Sequence, residues 1–213
     1  MRILYLDLAS NHGSLACVDD ASVVHLTSVD HRIDDSVLTG LVEQTLKDAG
    51  WAYEDLSGIA CVVGPGGFTS LRVGVAAANA LGSALGIPVC GVHLSDLYRA
   101  RSPLPALRAT LSRPREREQG KSIFWLHSTK RTELFIRSNE FPGPQCITLE
   151  ELPKHLKKGQ EWMGELIPEH QKIVTDVGLT LVPLLALEEV LPEFLGSQKY
   201  QKQILQPWYG RGW

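Results

Sequence analysis

Gly64-Pro65-Gly66-Gly67-Phe68-Thr69-Ser70-Leu71-Arg72-Val73-Gly74 is the stretch on which the fold turns. A continuous apolar run, 58–63, leads into it and reads as a buried strand. A tight glycine turn follows, and then a helix capped by Thr69 that runs to about Leu85 and closes at Gly86. Strand, glycine turn and helix start, in that order, make an anion-binding geometry. The first-turn amides are unpaired and the helix dipole favours negative charge there. A Walker A loop does not fit, because the Lys-Ser/Thr pair is missing. A dinucleotide fingerprint does not fit either: Thr69 takes the place of the last glycine, and no acid follows about 20 residues on. A plain turn and N-cap would use the same residues. Arg72 is unusual under that reading, since a cation in the first turn opposes the dipole. An acidic group is expected to compensate it, from within the chain or from a partner protein. Gly74, Ala78, Gly82 and Gly86 recur every four residues. They form a small-residue face suited either to close packing on this protein's own sheet or to a second subunit's helix.

Working outward, residues 2–9 read as a buried strand ending near Asp7. Residues 14–19 and 22–29 read as a hairpin turning at Asp19-Asp20-Ala21. Asp7 and Ser10 stand where a strand-end carboxylate and hydroxyl can hold a metal-bound phosphate. Leu8 is apolar where such a loop prefers a hydroxyl, which favours Asp7 as a cap of the following turn. A helix from Asp35 or Ser36 carries Val37, Leu38, Leu41, Val42 and Leu46 at helical spacing and ends at Gly50. A strand is expected at 88–92. Arg, Pro and Ser dominate 99–121, the best linker candidate. Beyond it, strands are expected near 122–128 and 132–138, and a Pro-rich turn at 142–144. A capping box at Thr148-Leu149-Glu150-Glu151 should open a helix. A strand near 160–165 and a helix near 178–190 precede the tail. The order of elements in the first half is partly repeated, a pattern-level suggestion of duplication.

The chain has 213 residues, 44% hydrophobic and 21% charged, with a net charge of -3. That suits one domain or two small lobes. It lacks the basic surplus of a protein that grips RNA alone. Cys17, Cys61, Cys90 and Cys146 form no CxxC pair, and the first three sit in apolar runs as buried reduced thiols. No signal peptide and no membrane span are expected, so the reading is cytoplasmic. No HExxH or HxxxH pair exists among His12, His25, His31, His93, His127, His155 and His170, and no GxSxG elbow. His31 beside Asp30, Asp34 and Asp35 reads as a solvated loop. No catalytic or metal-ligating residue is expected.

The motif read above, GPGGFTSLRVG, resembles that of the TsaB (YeaZ) family, GPGSFTGLRIG, with Gly67 for Ser and Ser70 for Gly. The start MRILYLDLAS is similar to that family's MRILAIDTAT, and Leu191-Pro192-Glu193-Phe194-Leu195 to its terminal P-x-Y-L. Leu8 for Thr, Asp34 for His and Ser128-Thr129-Lys130 for the DAR motif depart from it. The resemblance is strong over 1–98 and faint beyond. It implies an α/β, actin/Hsp70-like (ribonuclease H-like) fold of two lobes: 1–100, a linker at 101–121, and a short, divergent second lobe with the tail at 122–213. It implies a non-catalytic scaffold for a TsaD-like catalytic subunit, with a TsaE-like ATPase and, indirectly, tRNA completing a complex that makes threonylcarbamoyladenosine. The implied contact uses the first two helices, with Val37, Leu38, Leu41, Val42, Arg72, Ala78 and Gly82. A homodimer is expected when the chain is alone. No cofactor is expected, ATP or ADP being the ligand such a fold could admit. A glycoprotease-like peptidase, or an actin-like ATPase acting on a small ligand, is the alternative enzyme reading.

Overall fold

Residues 1–29, 35–103 and 123–210 are described in the computed structural model of the chain. His31 with Asp30 and Asp34, and nearly all of the expected linker, lie outside them. The chain forms two compact units, Met1–Leu94 with Ala186–Tyr209, and Ser95–Leu185 with Gly210–Trp213. Residues Ala186–Tyr209, read from sequence with the second lobe, thus group with the first.

The first unit holds a five-stranded sheet in the order β3-β2-β1-β4-β5. Its strands are β1 (Ile3–Asp7), β2 (Gly13–Val18), β3 (Val23–Val29), β4 (Gly58–Gly64) and β5 (Val89–His93). β1 and β2, and β2 and β3, run antiparallel; β4 runs parallel to β1 and to β5. Strand alternation sends Leu4 and Leu6 into a core shared with two helices, α1 (Asp35–Asp48) and α2 (Phe68–Leu85). Leu38, Val42 and Leu46 bring α1 to that core, and Val75 and Ala78 bring α2.

The second unit begins in α3 (Leu94–Ala100) and builds its own sheet, β10-β9-β6-β7-β8. Its strands are β6 (Ile123–Ser128), β7 (Glu133–Arg137), β8 (Gln145–Thr148), β9 (Glu161–Glu165) and β10 (Thr180–Leu181). Read from the other edge, the order and every strand sense repeat those of the first unit. The duplication suggested by the order of elements is therefore present in the topology. Among the described residues its helices are shorter, α4 (Leu152–His155) having 4 residues and α5 (Pro168–Val177) having 10. The last helix, α6 (Leu187–Gly196), returns to the first unit and packs on β3.

Two expectations are corrected here. The helix read near 178–190 does not exist: α5 ends at Gly178 (φ 86), the next residues pair as β10, and α6 starts at Leu187. The capping box does form, Glu151 Oε2 accepting from the Thr148 amide and hydroxyl at 3.0 Å each. It closes the turn that follows β8 and does not cap a helix: the helix after it has Glu151 as N-cap without a side-chain bond, and is a single turn because Leu156 is already extended.

On the sheet face opposite Phe124 and Leu126, Trp125 and His127 lie stacked, 5.7 Å apart and 8° from parallel. The Glu165 carboxylate lies 3.9 Å from His127 Nδ1 and accepts a 2.6 Å hydrogen bond from the Tyr98 hydroxyl. Burial pushes His127 down to about 4, with Glu165 acting weakly in the other direction. Unfolded, the ring titrates near 6.5. Between these values the unfolded chain binds a proton that the folded chain does not, so His127 lowers stability as pH falls from about 6.5 towards 4. Urea midpoints measured across that range should fall less steeply in His127→Phe, which keeps the stacked ring. A second expectation concerns α2. A Cβ at Gly82 would lie 2.4 Å from Val89 Cγ1. Gly82→Val should lose about 1–3 kcal/mol in chemical unfolding, whereas a leucine at exposed Ala84 should change it by no more than about 0.5 kcal/mol.

Candidate functional site

The glycine turn lies at the carboxyl end of β4, beside the carboxyl end of β1. Asp7, 3% exposed, accepts hydrogen bonds from the Ala9 and Ser10 amides at 2.9 and 3.1 Å through Oδ1. Its Oδ2 accepts one from the Ser10 hydroxyl at 2.8 Å. These three bonds make Asp7 the cap of its own turn. A Cβ at Gly66 would stand 2.4 Å from the Ala9 carbonyl oxygen, so the two loops meet backbone to backbone. Gly64 has φ 138, and a Cβ there would meet the Trp208 carbonyl at 2.1 Å.

That Trp208 belongs to a strap formed by the end of the chain. Gln201 bridges to Val89 on the β5 edge. Asn79 on α2 clamps Leu205, donating to its carbonyl at 3.0 Å and accepting from its amide at 2.8 Å. The Trp208 amide donates to the Val63 carbonyl at 2.7 Å, and its ring stands edge-on to His93 at 5.0 Å. Tyr209 thereby comes over the first turn of α2.

Helix α2 starts at Phe68, with Gly67 as its N-cap and no side-chain cap bond. Thr69 is therefore not the cap; it sits exposed inside the first turn. Pro65 is buried, while Gly67, Phe68 and Arg72 are exposed and Ser70 is half-buried. No acidic residue lies in that turn. Arg72 is held by aromatic rings where a carboxylate was expected. Its guanidinium lies 3.8 Å from the Phe68 ring centroid and 5.8 Å from that of Tyr209. Its Nε donates to the Tyr209 hydroxyl at 2.9 Å, and the two rings are 4.9 Å apart. Sequence reasoning missed Tyr209. The available signal was the aromatic pair Trp208-Tyr209 directly after Pro207.

The small-residue face turns inward. Gly74 faces Leu8, Gly82 faces Val89 and Ala78 is 0% exposed. The partner contact expected at Ala78 and Gly82 is thus corrected, because this unit's own sheet occupies that face. Leu38 and Val42, each 2% exposed, also belong to the core, while Val37 is 50% exposed and Leu41 half-buried. What α2 shows outward is a different stripe, Arg72, Ala76, Ala80 and Ala84, at four-residue intervals beside Ser83.

In the second unit Ser128 occupies the strand-end position that Asp7 holds in the first. Its hydroxyl accepts from the Ile167 amide at 3.1 Å and lies 2.8 Å from His170 Nδ1; His170 Nε2 lies 2.9 Å from the Arg131 carbonyl. Burial raises the thiols of Cys17 and Cys90 to about 11, and that of Cys61 further, which keeps them protonated. Among the described residues no group of three or more His, Cys, Asp or Glu could hold a metal, and no helix is long and apolar enough to cross a membrane.

Residues 29–101 match the family model of TsaD, tRNA N6-adenosine threonylcarbamoyltransferase. An uncharacterized protein of Mycobacterium tuberculosis is 42% identical over 98 residues, 46% of this chain and 44% of that protein. The match thus spans less than half of that relative's length. The tRNA threonylcarbamoyladenosine biosynthesis protein TsaB of Buchnera aphidicola is 24% identical over 91% of this chain and 97% of its own. In structure, YeaZ from Pseudomonas aeruginosa superposes with a TM-score of 0.64 over 97% of this chain and 99% of its own, at 19% identity. This chain thus shares the α/β fold of that structure, built here on two sheets of repeated topology. In sequence and in fold, the family this chain resembles is TsaB/YeaZ.

Proposed function

We propose that this chain is a non-catalytic partner subunit in the formation of threonylcarbamoyladenosine at position 37 of tRNA, docking a TsaD-like catalytic subunit on the outer faces of α1 and α2. One observation carries the reading. α2 has 18 residues and a single charged one, Arg72, yet it presents a whole stripe to solvent. A solvated helix face ordinarily bears charges. This one is smooth and uncharged at Ala76, Ala80, Ser83 and Ala84, which lets a second helix approach closely. Val37, half exposed on α1, adds an apolar contact. The similarity to TsaB and to the TsaD family model supports the choice of pathway and partner. A TsaE-like ATPase and tRNA join through the complex. The same stripe can pair with a second copy, so a self-dimer would compete with the heterodimer.

Size-exclusion chromatography with light scattering, with and without the cognate TsaD-like protein, tests this. A stoichiometric complex should form, at the expense of any self-dimer. Ala80→Trp should weaken it by about 10-fold or more with the circular dichroism spectrum unchanged, since the position faces outward. No complex with the wild-type chain, even with ATP and the TsaE-like protein present, would overturn the reading.

A further inference from the structure

We propose that Tyr209, carried in by the returning strap, completes this docking surface by holding Arg72 ready for a carboxylate of the catalytic partner. The inference rests on the docking reading above and adds to it a positioning residue and the chemistry of its counterpart.

The guanidinium is fixed from two sides. Phe68 supports one face, 3.8 Å from its centroid, and the Tyr209 hydroxyl takes the Nε hydrogen at 2.9 Å. Free arginine side chains sample many rotamers, and locking them on association costs affinity. Here that ordering is already done by the chain itself. Among the described residues no carboxylate pairs with Arg72, and the hydrogen bond through Nε leaves the two terminal nitrogens as a fork suited to a planar anion. The group is exposed and is the only charge on α2. A second copy meeting this stripe through its own α2 would bring no acid, so a heterologous acidic side chain fits better. Tyr209 can act in this way because the strap is firmly seated. Leu205 is buried in the core of the first unit and clamped by Asn79, and Trp208 is bonded to β4. Aromatic residues and arginine are the side chains that most often dominate protein interfaces.

Isothermal titration calorimetry of the full chain against the cognate TsaD-like protein tests the inference. Tyr209→Ala should weaken binding about 10-fold, Tyr209→Phe less, and Arg72→Met at least as much as Tyr209→Ala. The double variant should bind like Arg72→Met alone, since the tyrosine acts through the arginine. The wild-type affinity should also fall more steeply with salt than that of either single alanine or methionine variant. Wild-type affinity in Tyr209→Ala, or additive losses in the double variant, would overturn this inference and leave the docking reading standing. No binding by the wild-type chain would remove both.

Discussion

Two backbones meet at the carboxyl ends of β1 and β4 with no room for a methyl group between them. At Gly66 a Cβ would stand 2.4 Å from the Ala9 carbonyl, and at Gly64 it would stand 2.1 Å from that of Trp208. Only glycine permits both approaches, and at Gly64 the φ of 138 demands it as well. Much else follows from this crossing. It sets where α2 begins, hence which of its faces lies on the sheet. It turns Gly74, Ala78 and Gly82 inward, and with them the contacts to Leu8 and Val89. It also seats the strap, whose Trp208 amide bonds to Val63 one residue before the turn.

The second unit solves the same problem with different residues. Gly164, near the end of β9, has φ 126, and a Cβ there would lie 2.0 Å from the Leu126 carbonyl. β4 thus ends on a glycine, and β9 has one a residue before its end, that no side chain could replace without a shift of the backbone. The strand-end polar groups differ. Asp7 folds back on its own turn, whereas Ser128 reaches across to Ile167 and, through His170, to the Arg131 carbonyl. The hydrogen-bonding need of buried backbone is met locally in one unit and by a relay in the other. A shared topology thus persists where the two sequences share no recognisable repeat.

What could be read from sequence follows the strength of local signals. The hairpin at Asp19, the apolar run of β4 and the glycine turn each carry their own chemistry, and all stand where they were read. The stretch after Gly178 misled, because Leu179, Leu181, Val182, Leu184 and Leu185 look helical by apolarity alone. A left-handed glycine and Pro183 rule a helix out. The small-residue face left two readings open, since spacing says that a helix packs closely but not on what. Its resolution needed Val89, which lies on the next strand. Tyr209 could not be linked to Arg72 for a related reason. It lies 137 residues from Arg72, and no periodicity links a tail to a helix start.

Arg72 brings the energetics of the first unit to a point. With Gly67 as the N-cap, Arg72 is the fifth residue of α2, past the first turn in which the helix dipole acts most strongly, so its charge costs little there. An exposed cation–π contact returns about 0.5–1 kcal/mol, and one more exposed hydrogen bond adds little. Both contacts are exposed and small, so the stability of the isolated chain gives no strong reason for arginine at this position. The aromatic cradle does something different: it gives the charge one orientation, at the edge of a stripe with no other charge. Close backbone packing accounts for the glycines of this motif, while the contacts of Arg72 add little to stability and instead set the direction of its charge.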